Sequence, residues 1–194
     1  MSQIKIAIVV GSLRKESINK KLALAVSAMF SDRFELYRVE IAELPLYNQD
    51  FDHDYPATGQ RFKREVEAAD ALLFVTPEYN RSIPGVLKNA IDVGSRPPGS
   101  NSFAGKPAAV IGTSPGARGT ALAQQHLRNV FVGLDVLALA QPEVTVQFHE
   151  GLFDEQGGIG DERTRKFLQK FVDRYSNWLI KTLSDPRVER VGAT

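Results

Sequence analysis

Three short stretches of this chain carry side chains suited to binding rather than packing. The first is Thr76-Pro77-Glu78-Tyr79-Asn80-Arg81-Ser82-Ile83-Pro84-Gly85. Pro77 has no amide hydrogen, and Glu78, Tyr79 and Asn80 then bring three consecutive N–H groups. A stiff run of amides beside one aromatic ring suits a flat, hydrogen-bonding heterocycle. An ordinary strand-to-helix turn would use the same residues.

The second stretch is Gly11-Ser12-Leu13-Arg14-Lys15-Glu16-Ser17-Ile18-Asn19. It lacks the G-x-G-x-x-G spacing of dinucleotide folds and the G-K-[ST] ending of a P-loop. Instead Ser12, Ser17 and Asn19 supply neutral donors and Arg14 a forked cation. That mixture suits a terminal phosphomonoester, whose several oxygens each accept a bond. Lys20 and Lys21 follow, the wrong sign for the start of a helix unless an anion lies close. The plainer reading is that Ser17 caps a helix, although Lys20 three residues on rules out a capping box.

The third, Gly112-Thr113-Ser114-Pro115-Gly116, matches the G-x-S-x-G nucleophile elbow, and Asp135 and His149 follow in the order a hydrolase triad requires. One atom argues against hydrolysis. The oxyanion hole needs the N–H of the residue after the serine, and that residue is Pro115. The better reading is a glycine-rich loop (Gly112, Gly116, Gly119) that lets backbone approach a ligand closely, or a turn that needs positive φ. The histidines His53, His126 and His149 have no metal-motif spacing, so no metal site is expected. Asp50, Asp52 and Asp54 share a loop without a local acid–base partner. His126 reads as a packing or interface residue.

These stretches need elements to hold them together. Ile4-Lys5-Ile6-Ala7-Ile8-Val9-Val10 is a β-branched first strand, and Ala71-Leu72-Leu73-Phe74-Val75 is apolar enough to be buried on both faces. Further strands are expected over 34–39, from 107 to 112, and over 135–139 with a possible continuation through Val144 and Val146. Between them lie helical patterns. One carries Leu22, Val26, Met29 and Phe30; a second runs from about Thr58 to Ala69; a third covers 86–93 behind Pro84. A fourth carries Leu127, Val130, Phe131 and Leu134. The last has a wide apolar face of Phe167, Leu168, Phe171, Val172, Tyr175, Trp178 and Leu179. Strands alternating with helices imply a parallel sheet covered on both faces. The common small solution is a five-stranded sheet of order 2-1-3-4-5, in which the first and third strands flank the switch point. All three stretches would then share one crevice. No aspartate ends the first or third strand, which removes the acidic pocket of a response-regulator receiver.

The 194 residues suffice for one domain, expected over 1–183 with a loose tail over 184–194. A composition of 43% hydrophobic and 24% charged residues is that of a soluble globular chain able to bury a core unaided. The absence of cysteine excludes disulfides, thiolate metal sites and a cysteine nucleophile. A net charge of +1 gives no reason to expect a nucleic-acid or membrane partner. With no room for a signal peptide before the first strand and no membrane-length apolar run, a cytoplasmic protein is expected.

Taken in order, Gly11-Ser12-Leu13-Arg14 with Ser17 and Asn19, Leu44-Pro45-Leu46-Tyr47-Asn48, Thr76-Pro77-Glu78-Tyr79-Asn80, Pro84-Gly85 with 87–92, and Gly105-Lys106-Pro107 resemble the NADPH-dependent FMN reductase family. This is a flavodoxin-like group that includes quinone, chromate, ferric and azo reductases, and the resemblance covers about residues 4–180. It implies a three-layer α/β sandwich and non-covalent FMN, with phosphate at Ser12, Arg14, Ser17 and Asn19. It implies the flavin ring against Pro77, Glu78, Tyr79 and Asn80, with Ser114 and Gly116 at its other edge. It also implies NADPH or NADH as hydride donor, a small-molecule acceptor, and homodimers or homotetramers. Flavin would carry the chemistry by ping-pong hydride transfer, so no catalytic side chain is required. A flavodoxin-type electron carrier is the alternative. Arg81 stands where many members have an aromatic residue, and Val93-Gly94 replaces a tryptophan-led pair, so Arg81 is a candidate on the substrate side.

Overall fold

A computed structural model describes residues 3–185. The strands are β1 (Ile4–Val10), β2 (Phe34–Val39), β3 (Ala71–Val75), β4 (Pro107–Ser114), β5 (Leu137–Ala138) and β6 (Val144–Gln147). The helices are α1 (Ile18–Ser27), α2 (Ala57–Glu67), α3 (Gly85–Gly94), α4 (Ala121–Gly133) and α5 (Glu162–Ser184). All strand pairs are parallel, in the order β2-β1-β3-β4-β5, with β6 also on β4. The expected 2-1-3-4-5 topology is therefore present.

β3 shows why the sheet is central. All five of its side chains are fully buried, and alternation sends them to opposite faces. Ala71, Leu73 and Val75 join a core with Leu22 and Val26 of α1 and with Leu168, Phe171 and Tyr175 of α5. Leu72 and Phe74 join the opposite core, with Phe62 of α2, Leu87 of α3, and Leu127 and Phe131 of α4. Each such large apolar side chain contributes about 1.5–3 kcal/mol on burial. A sheet so covered exposes its binding chemistry only at its ends.

Several boundaries differ from the sequence reading. β4 runs two residues further, through Thr113 and Ser114, because β6 pairs with it from Ile111 to Ser114. The fifth strand is two pieces: β5 sits on Pro107 and Ala108, and β6 on the upper half of β4. Between them the chain leaves the ladder, held by α4. Arg128 Nη1 donates to the Leu139 carbonyl (2.7 Å), and Gln124 Nε2 donates to the Val144 carbonyl (2.7 Å). Met29 and Phe30 lie beyond the end of α1, although both still pack on the core. Pro84 is the N-cap of α3 rather than its first turn. Phe167 is 37% exposed, so the apolar face of α5 is narrower than its sequence suggests. Of the tail expected from Ser184 onward, Ser184 ends α5, and residues 186–194 lie outside the described residues.

Candidate active site

Three loops leave the carboxyl ends of β1, β3 and β4, the position where open α/β sheets bind ligands. They enclose a cleft of about 110 Å³. Its walls are Ser12, Arg14, Ser17, Ile18 and Asn19 on one side, Pro77, Glu78 and Tyr79 on another, and Thr113, Ser114 and Pro115 on the third. All three loops picked out by their chemistry thus meet. The small apolar niche beside Pro45, Phe51, Tyr55 and Val93 is a different matter: at about 10 Å³ it has room for no more than a water.

The 11–19 loop departs from regular structure at once. Gly11 N–H donates to Val75 O (2.9 Å) and Ser12 N–H to Val10 O (2.8 Å). Ser17 then caps α1, its Oγ accepting from Lys20 N–H (3.2 Å). Among the described residues, no backbone partner takes the N–H groups from Leu13 to Asn19. Arg14 is exposed, and no described carboxylate pairs with it. A row of free amides, the α1 N-terminus and one guanidinium form a cradle for an anion. The cap at Ser17 and the anion site coexist, since the Ser17 hydroxyl hydrogen is still available.

Asn19 lines the cleft, but not as the free side-chain donor expected from sequence. Its side chain is 1% exposed and committed to the protein. Nδ2 donates to Thr113 O (2.9 Å), and Oδ1 accepts from Thr113 N–H (3.0 Å). Asn19 therefore offers the cleft its backbone N–H, while its amide ties α1 to β4. Thr113 is the residue that the sequence reading overlooked. It lines the cleft, it is fully buried, and its Oγ1 has no hydrogen-bond partner. An orphaned buried hydroxyl is costly unless a ligand or water completes it.

The 76–85 segment is also built differently from the expected run of free amides. Tyr79 N–H donates to Ser82 O and Ser82 N–H to Tyr79 O, both at 2.9 Å. Asn80 (φ 50°) and Arg81 (φ 63°) sit between them in left-handed conformation, which makes a two-residue type I′ hairpin. Of the three amides, only those of Glu78 and Asn80 lack a described backbone partner. The Glu78 carboxylate is engaged elsewhere: Oε2 accepts from Leu122 N–H (2.9 Å) and Ala123 N–H (3.1 Å) at the start of α4. Ser82 Oγ shares a 2.9 Å hydrogen bond with His126 Nδ1, so His126 holds the hairpin. Tyr79 stands half exposed at the rim. Arg81 is exposed on the hairpin tip, outside the cleft lining.

On the third wall, Ser114 Oγ accepts from Gly116 N–H (3.3 Å) and is bonded to neither candidate triad partner among the described residues. Gly116 itself is exposed, and it lies outside the lining. The close approach is at Gly112, where a Cβ would collide with Thr76 O. The turn at positive φ is at Gly119 (57°). The positive-φ turn is therefore present at Gly119, whereas the close approach at Gly112 is to the chain's own backbone and not to a ligand. Among the described residues no cluster of three or more His, Asp or Glu is placed to hold a metal. No described helix is long and apolar enough to cross a membrane.

A row of free amides beside one guanidinium, a peptide wall with an aromatic rim and an unpaired buried hydroxyl could hold a mononucleotide carrying a planar ring. Comparison with known proteins points the same way. A quinone reductase of Pseudomonas putida is 50% identical over 181 residues, which cover 92% of this chain and 97% of that one. A 2-hydroxy-1,4-benzoquinone reductase of Burkholderia is 52% identical over 176 residues, 91% and 96% of the two chains. Among solved structures, the flavoenzyme NAD(P)H:(acceptor) oxidoreductase FerB of Paracoccus denitrificans superposes with a TM-score of 0.88 at 46% identity, covering 92% of this chain and 98% of that one. Residues 4–151 match the family described as NADPH-dependent FMN reductase, and the chain belongs to that family.

Proposed function

We propose that this chain is an FMN-dependent NAD(P)H oxidoreductase that reduces quinones. The observation that carries the proposal is the cleft itself. Unpaired donors, one cation and one orphaned hydroxyl converge at the switch point of a parallel sheet. When bound, FMN supplies the hydride relay between a nicotinamide and the acceptor.

The chain's own residues bind and orient. Arg14, the hydroxyls of Ser12 and Ser17, and the first amides of α1, including that of Asn19, would hold the phosphate. Pro77, Tyr79 and the Glu78 and Asn80 amides would face the ring. Donors there stabilise negative charge as it develops. Ser114 and Gly116 would close the opposite edge. Thr113 Oγ1, buried without a partner, would bond the ligand's polar chain. No acid, base or nucleophile is required of the protein, and none of the described histidines stands in the cleft lining. One pocket serving donor and acceptor in turn gives ping-pong kinetics, so reciprocal plots at several quinone concentrations should be parallel. Arg81 on the hairpin tip would meet the anionic part of a nicotinamide phosphate or of an acceptor. A homodimer or homotetramer acting in the cytoplasm accords with the family and with a chain free of cysteine.

The test is an anaerobic NADPH titration of the FMN-loaded protein, followed by a panel of acceptors that includes 2-hydroxy-1,4-benzoquinone. Bleaching of the flavin and steady NADPH oxidation with quinone alone are expected. Bleaching without turnover until a second protein is added would instead identify an electron carrier. Scattering mass across a dilution series reads the oligomer.

A further inference from the structure

The wall that would face the flavin ring is not held by its own two turn hydrogen bonds alone. Asn80 and Arg81 both occupy the left-handed region, which asparagine tolerates and which is strained for arginine. Such a turn persists only when its surroundings over-determine it. Two contacts do so here, and both reach the same helix. Glu78 Oε2 receives Leu122 and Ala123 N–H, and Ser82 Oγ meets His126 Nδ1.

The helix has the complementary deficiency. α4 begins without an acidic residue in its first turn, and Thr120 makes no side-chain cap. Thr120 Oγ1 is instead the acceptor for Gln124 Nε2 (3.0 Å). The first amides of a helix need acceptors. Glu78, 44 residues earlier in the chain, supplies one, its Oε2 taking two of them.

We infer that Glu78 is a positioning residue for the reaction. Its carboxylate caps α4 and thereby fixes the Pro77–Ser82 hairpin before FMN arrives. This rests on the assignment of FMN to the cleft. Glu78 acts on the ring through the backbone it anchors and not through its charge. The side chain turns toward α4, and the peptide on either side of it forms the wall. A preformed wall binds its ligand more tightly because ordering costs nothing further.

Glu78→Gln and Glu78→Ala separate geometry from charge, because the glutamine keeps an acceptor oxygen and loses the charge. In hydrogen exchange of the FMN-free protein, Glu78→Ala should expose the amides of Leu122, Ala123, Tyr79 and Ser82 about tenfold faster. Its FMN dissociation constant should rise about tenfold, equivalent to about 1.4 kcal/mol. Glu78→Gln should recover most of both effects, and the visible circular dichroism of its bound flavin should match the wild type. Equal weakening in both variants would mean that charge is the cause and would overturn the inference. So would wild-type exchange and affinity in Glu78→Ala. If that variant does not fold, Glu78→Gln alone decides: an altered flavin dichroism or a tenfold weaker affinity refutes positioning by the acceptor oxygen. Failure of the wild-type protein to bind FMN would instead refute the cleft assignment, which the exchange data on the empty protein do not depend on.

Discussion

Asn19 and Thr113 form a closed pair in which each residue both donates to and accepts from the other, at 2.9 and 3.0 Å, across 94 residues of sequence. An amide side chain thereby reproduces a backbone rung and joins α1 to β4 under the cleft. Replacing Asn19 by alanine strands a buried N–H and a buried carbonyl. The expected cost is about 2–4 kcal/mol, or a thermal midpoint lower by roughly 4–16 °C. Calorimetry of the FMN-free protein measures it. A midpoint within a degree of the wild type would show that the pair contributes nothing.

Of the charged residues in the 11–19 loop Arg14 is the one that lines the cleft, so its loss should be felt by the phosphate and not by the ring. Arg14→Ala is expected to weaken FMN by at least about tenfold, as for a charge-assisted bond of about 1.5–3 kcal/mol. Riboflavin, which lacks the phosphate, should bind within about twofold of the wild type. Parallel fluorescence titrations with the two ligands provide the comparison. Equal losses for both would place the phosphate elsewhere.

Arg81 combines a charge with a left-handed backbone, and two substitutions pull these apart. Arg81→Gly suits φ 63° and removes the charge; Arg81→Lys keeps the charge. In Arg81→Gly, KM for NADPH should rise about fivefold relative to NADH, without loss of stability. That is the scale of one ion pair near water, about 1 kcal/mol. Arg81→Lys should retain the preference. Unchanged constants for NADPH and for anionic acceptors in the glycine variant would remove Arg81 from the substrate side.

Alkaline pH should test the buried phenol of Tyr175 and the half-buried ones of Tyr37 and Tyr55. Burial pushes the Tyr175 hydroxyl well above its ordinary value, and its O–H donates to Leu72 O at 2.7 Å. Tyr37 and Tyr55 are pushed up to about 12, burial again being the largest cause. In the unfolded chain these groups ionise near pH 10. Folded pKa values raised above the unfolded ones give a stability that is complete below about pH 10 and declines above it. Tyr175→Phe should cost about 1 kcal/mol at pH 8 through the lost hydrogen bond. Its disadvantage should shrink at pH 11. Urea midpoints at the two values test this, and a constant gap would contradict it.

The sheet was legible because its signals are local. The β-branched and apolar runs of β1 and β3 announce strands, and glycine, serine and proline mark where each one ends. The loops that meet at the cleft could be chosen on chemistry alone. What escaped reading depends on partners far along the chain. The direction of the Glu78 carboxylate is set by α4, and the side chain of Asn19 is claimed by Thr113. The interruption of the fifth strand is held by Arg128 and Gln124, whose positions say nothing about it in sequence. The hairpin at Tyr79 was hidden for another reason. Type I′ turns usually advertise themselves with glycine, and here the second central residue is an arginine.

The interruption between β5 and β6 also bears on how molecules meet in a crowded solution. A sheet's outermost strand is an open template for a foreign chain. On one flank this protein presents only a two-residue and a four-residue segment, separated by a departure from the ladder. On the other flank β2 carries Glu35 and Arg38. Neither border offers a long, flat, apolar rail, so the interior can be made of almost uninterrupted hydrocarbon without inviting fibrillar growth.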